Sequence, residues 1–219
     1  MKLISRIVAV LMLYAAAPLF GAINLVAHAS AVSANAISVT TTPLNTIRAD
    51  FIVVAASSVA NNGTVTDSNS NTWTALTQYG ISGQGAGMRL FYCDNPIVSS
   101  TQTFTFSAAT TGYPAVAVAA WSGVAASPFD AQNGSTAVSG PGTRQTGSIT
   151  PSANGALLIS AIGQSSTSAD TIDSSFTVIE HQNYLGGGGL AGFGISLAYL
   201  IQGTAAPVNP AWTIGPSKV

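Results

Sequence analysis

The chain holds a single cysteine, Cys93. An intramolecular disulfide is therefore excluded, and stability is left to the core. Charge is almost as scarce, at 6% of 219 residues against about 25% in ordinary globular proteins. Six Lys and Arg face seven acids, so there is no basic stripe to neutralise phosphates, and nucleic acid is not expected as a partner. The two histidines and one cysteine are too few for a His/Cys metal cluster. Amphipathic 3.6-residue periodicity is missing beyond the N-terminus, and no charged or Pro-rich linker divides the chain, so one domain is expected.

What is present is neutral polarity, with Ser, Thr, Asn and 22 glycines abundant. The N-terminus has Lys2 and Arg6 before an apolar run at residues 7–17, then Ala27-His28-Ala29 as a small-x-small cleavage site. Pro18, Gly21 and Asn24 interrupt a continuous membrane span. Residues 1–29 thus read as a secretory signal peptide and residues 30–219 as one mature domain. Its expected location is secreted or extracellular, at the periplasm or cell surface, with no membrane contact beyond the leader. Removal of residues 1–29 leaves Arg48, Arg89, Arg144 and Lys218 against seven acids, a formal charge of −3.

The remainder reads as β-structure. Residues 65–79 give the densest turn signal, Asp67, Asn69 and Asn71 among serines, followed by an alternating strand at 72–79 with Trp73, Ala75, Thr77 and Tyr79 on one face. Residues 50–57 and 115–121 are apolar at both parities, as in strands covered on both faces. Residues 102–107 alternate Phe104 and Phe106 with Thr103 and Thr105. Further short strands are expected at 36–42, 88–93, 147–151, 156–162, 176–181, 194–201 and 211–214. About ten to twelve strands separated by turn signals predict an all-β, antiparallel two-sheet β-sandwich.

V-T-D-S-x-x-N-T-W-T at 65–74, M-R-L-F-Y-C at 88–93, V-A-V-A-A-W-S-G-V at 116–124, S-P-F-D at 127–130 and A-W-T-I-G at 211–215 carry a resemblance. Together they resemble jelly-roll (concanavalin-like) sandwich domains of bacterial secreted, cell-surface and phage-associated proteins. The resemblance implies a jelly-roll fold and an exported setting. It implies no single activity. Members usually continue into one more apolar strand after the A-W-T segment, and an unpaired edge there would suit pairing with a second copy, as a homo-oligomer joined through sheet edges.

Asp67, Asn69 and Asn71 place oxygens at alternate positions, as a calcium loop does, but without its glycine and distal Glu. The competing reading is a plain Asx turn. The acids are scattered, and Glu180 and His181 are neighbours on an extended run, pointing to opposite faces, so no catalytic pair or triad is framed. No G-x-S-x-G elbow exists, and the glycines at 186–189 precede a strand instead of a phosphate-binding helix. Cys93 reads as a buried, inert thiol. For binding, Trp73, Tyr79 and Tyr184 are the aromatics expected at the surface, where amphipathic rings suit sugar faces. The functional expectation is a non-catalytic module that binds a glycan or cell-envelope partner without a required cofactor, with a structural or assembly subunit of an extracellular or virion surface as the alternative and a glycan-active hydrolase or lyase as the third reading.

Overall fold

The computed structural model describes residues 21–58, 63–80, 87–136, 142–164, 170–183 and 194–214. The apolar leader at 7–17, Tyr184, the glycines at 186–189 and Lys218 lie outside these residues. The described chain is all-β and antiparallel, with fourteen strands in four sheets. That is the sandwich class expected from the sequence.

Its centre is a pair of apolar strands, β3 (Phe51–Ser58) and β8 (Ala115–Ser122), paired from Phe51↔Trp121 to Ser57↔Ala115. Every residue of β3 is buried, as are the first seven of β8. Side chains alternate along a strand, so these two divide their apolar residues between two cores. Ile52, Val54, Ala56, Val116, Val118 and Ala120 enter one; Phe51, Val53, Ala55, Ala117, Ala119 and Trp121 enter the other. Flanked by β1 (Asn24–Val32), β6 (Gly87–Asp94) and β5 (Thr74–Ala75), they form a five-stranded sheet in the order β1-β8-β3-β6-β5.

One face of that sheet is covered by β2 (Ala36–Thr40), β7 (Phe104–Gly112) and β4 (Gly63–Asp67), in the order β2-β7-β4. Phe104 and Phe106 supply its largest inward side chains. The other face is covered by β10 (Ala156–Gln164), β13 (Gly194–Gln202) and β12 (Thr177–Asn183), in the order β10-β13-β12. There Ile195 and Leu197 pack on the alanines of β8. Each fully buried aliphatic side chain contributes about 1.5–3 kcal/mol, and the two cores pin the central sheet from both sides. The two sheets expected from the sequence are one layer too few: β3 and β8 carry apolar residues at both parities, both faces of the central sheet are covered, and three layers result. A fourth sheet, β11-β14-β9, is built from β11 (Asp170–Ile172), β14 (Ala211–Ile214) and β9 (Gly142–Gln145).

Two local outcomes differ from the sequence reading. The strand expected at 72–79 shrinks to the two residues of β5 plus a bridge from Tyr79 to Met88. Leu76 still donates its amide to the Leu90 carbonyl at 2.9 Å, and its own carbonyl accepts from Arg89 Nε at 2.6 Å. Likewise, 147–151 keeps one bridge, Ile149↔Val208. Residues 24–32 form β1, paired with β8 from Asn24↔Ser122 to Val32↔Ala115. The expected cleavage point after Ala29 therefore falls inside a strand. Gly123 fits this arrangement: at φ +80°, a Cβ there would lie 2.5 Å from the Ala22 carbonyl oxygen, where the N-terminal segment passes.

Candidate functional site

The Asp67 turn is a hydrogen-bond hub. Asp67 Oδ1 accepts from the Asn69 amide at 2.8 Å, Asn71 Nδ2 at 3.1 Å and Gln102 Nε2 at 3.1 Å. Its other oxygen accepts from Trp73 Nε1 at 2.8 Å. Asn71 Oδ1 accepts from the Ile97 amide at 2.6 Å, and Asn69 Oδ1 from Ser99. The oxygens proposed as cation ligands thus face N–H and O–H donors of the protein, the arrangement of an Asx turn. A cation would have to displace those donors. Trp73 is half-buried, its ring edge-on to Phe104 at 6.0 Å.

The scattered acids mostly staple loops. Asp50 accepts from the amides of Gly123 and Val124, Asp94 from Ser127, Asp130 from Ser152 and Asp173 from Ala211. Among the described residues, no group of three or more His, Cys, Asp and Glu is gathered to hold a metal.

Asp170, His181 and Ser196 do meet, although 26 residues separate the outer two in sequence. Ser196 donates to Asp170 Oδ2 at 2.6 Å, so His181 Nδ1, 2.7 Å from Ser196 Oγ, is the donor to that oxygen. This order is wrong for nucleophilic catalysis, where the histidine takes the serine proton. Ser196 is also wholly buried, out of reach of a substrate. Burial raises the Asp170 pKa above its usual 3.8, and the Ser196 bond and His181 oppose the rise. The stability that Asp170 contributes is therefore complete below pH 3.8 and is lost as pH rises through its folded value. Glu180 points the other way, to β1: His28 Nδ1 lies 2.6 Å from Oε1, and Ser30 donates to Oε2.

Tyr79 stands elsewhere. It lines a cavity of about 1160 Å³ between the Phe51/Val53 face of the central sheet and strands β10 and β14. Trp73 packs toward the opposite core, so the two expected platform residues do not converge. Leu90 and Tyr92 form one cavity wall; Leu157, Ile159 and Ala161 form another, with Trp212 and Ile214 beside them. The mouth is shaped by the loop after β8. Phe129, 47% exposed, stacks on Tyr92 at 6.0 Å with the rings 3° from parallel. Gln132 both accepts from the Thr77 amide at 3.1 Å and donates to its hydroxyl at 2.5 Å. Gly134 lies under the Tyr79 ring, where a Cβ would come within 2.5 Å. Many separate chain segments build this site, which sequence spacing could not assemble; of the residues singled out in the sequence, Tyr79 lies in it, and the S-P-F-D stretch adds the exposed Phe129.

No family model, curated protein or solved structure matches this chain.

Proposed function

We propose that the protein is an exported, non-catalytic binding module of the cell envelope and that its ligand enters the cavity between the central sheet and β10. The observation that carries this reading is a preformed space of about 1160 Å³ with aromatic side chains at its mouth. Ligand sites are concave, mostly apolar and carry few polar groups, and ~300–1,000 Å³ already holds a drug-sized molecule. The leader-like N-terminus and the charge-poor surface support the exported setting. Carboxylates committed to loop amides and a sealed Ser196 support a binding role over catalysis.

Titration of the protein with 1-anilinonaphthalene-8-sulfonate tests the site. Saturable, one-to-one binding with blue-shifted emission is expected, and Ala161→Phe, which narrows the cavity, should weaken it while leaving the circular dichroism spectrum unchanged. Absence of binding to the folded protein would remove the cavity as a ligand site. A glycan ligand is the second reading, favoured by Tyr79 beside Gln132 and Asn133 at the mouth. A glycan array would support it if the hits vanish in Tyr79→Ala.

A further inference from the structure

We propose that residues 21–25 belong to the binding site, as the part of its wall that braces the mouth loop, and that the working protein keeps them. Export processing then falls ahead of Ile23, and a cut within β1 disarms the site. The inference rests on the cavity being the binding site. Its first support is the register of β1. From Val32 back to Ala27 each residue meets its partner on β8 in step, and Ala27, Ala29 and Ala31 pack on the core that holds Phe104. Strict alternation would send Leu25 and Ile23 to that same core. A bulge between Leu25 and Ala27 adds one residue, however, and a slip of one residue turns the side chains beyond it to the opposite face. Leu25 therefore stands opposite Trp121, and Ile23 and Leu25 pack on the other core, the one that holds Phe51 and Val53. Phe51 and Val53 themselves line the cavity. Bulges that re-aim side chains in this way are frequent next to sites.

Its second support is the contact between this segment and the loop after β8. Gly21, Ala22 and Ile23 line the cavity together with Gly123, Val124 and Ala125. A Cβ at Gly123 would lie 2.5 Å from the Ala22 carbonyl oxygen and 2.8 Å from that of Gly21, so the two backbones touch. Asp50 holds the same turn through its two oxygens, which accept from the Gly123 amide at 2.7 Å and the Val124 amide at 3.2 Å. The loop then runs on to Phe129, which stacks on Tyr92 at the mouth. Loss of residues 21–25 would remove one of these two supports and open that side of the cavity to water, which weakens the burial of an apolar ligand.

Titration of the full chain with the same fluorescent sulfonate, well below the Tm of every variant, tests the proposal. Ile23→Ala, which removes wall surface, should weaken binding about fivefold. Deletion of Val26, which takes out the bulge and turns Ile23 and Leu25 away from the cavity, should weaken it more. Val39→Ala, which empties part of the opposite core, should lower the Tm and leave the affinity unchanged, so a purely structural effect is told apart. Intact mass of the folded chain exported from a bacterial host gives its first residue, expected at or before Ile23. If the deletion variant fails to fold, Ile23→Ala against Val39→Ala decides. Affinity unchanged in Ile23→Ala, or weakened equally in Val39→Ala, would overturn the inference, as would folded, exported protein that begins after Ile23 and binds with full affinity. Each of those results leaves the cavity reading standing; failure of the unaltered chain to bind the sulfonate would remove both.

Discussion

Two residues show how far local chemistry decides the structure. Asp67 satisfies three side-chain donors and one amide, which ties the loop to β7 through Gln102 and to the core through Trp73. Asp67→Ala would leave Gln102, itself wholly buried, without this acceptor. We expect a loss of about 2–3 kcal/mol in urea unfolding, the scale of hydrogen bonds to a charged group. A loss below ~0.5 kcal/mol would show that the hub is dispensable. Cys93 is buried, and desolvation, then Asp67 and Asp94, raises its pKa from 9.0 to about 11. Native protein at pH 8 should therefore resist Ellman's reagent, whereas unfolded protein should react. The folded state holds this proton more tightly than the unfolded state, so its contribution is complete below pH 9 and fades as pH rises to about 11. The stability difference between wild type and Cys93→Ala should therefore shrink as pH rises across that window, read in urea unfolding at pH 8 and pH 11. The turn at Asp67 was legible in the sequence because it depends on near neighbours, and the burial of Cys93 because strand parity puts it with Phe91. The bonds to Gln102 and Trp73 depend on the fold around them, and only Trp73 lies close in sequence.

At the scale of elements, legibility followed periodicity. Strands β3 and β8 could be placed because apolar residues at both parities admit one environment, a sheet covered on two faces. The same pattern was read as two sheets, one covering layer too few, and the small residues set the spacing of the layers. Ala117 and Ala119 are fully buried and let Ile195 and Leu197 approach the central sheet. Ala117→Leu should therefore overpack this interface and cost about 1–3 kcal/mol. Ala156→Leu, at the partly exposed start of β10, should cost much less in the same urea titration. Equal costs would argue that the layers are loosely packed. Strand β1 was hidden because its residues fit two patterns at once. Ala27-His28-Ala29 satisfies a leader cleavage site, yet Ala27, Ala29 and Ala31 alternate with His28 and Ser30. The alanines pack on the first core and the polar pair reaches Glu180. Period-two alternation was the available signal, and the leader pattern overlay it.

For the whole molecule, the N-terminus decides whether the central sheet ends at β1 or at the apolar β8. Cleavage after Ala29 would remove the partners of Val118, Ala119, Ala120, Trp121 and Ser122, leaving Ser30, Ala31 and Val32 against β8. It would also remove His28 from Glu180, and Leu25 and Val26 from the two cores. Each of these half-buried aliphatics contributes on the order of 1 kcal/mol. A chain that begins at Ser30 should therefore melt roughly 4–8 °C below one that begins at Gly21. Its Val118 and Ala120 amides, which face β1, should exchange faster with deuterium. An equal Tm would show that β1 adds nothing to the sheet. The same cut creates unpaired backbone beside a flat apolar strand, the usual template for edge-to-edge association. Light scattering should accordingly report a larger mass for the Ser30 form than for the Gly21 form. A monomeric Ser30 form would remove this edge as a route to assembly.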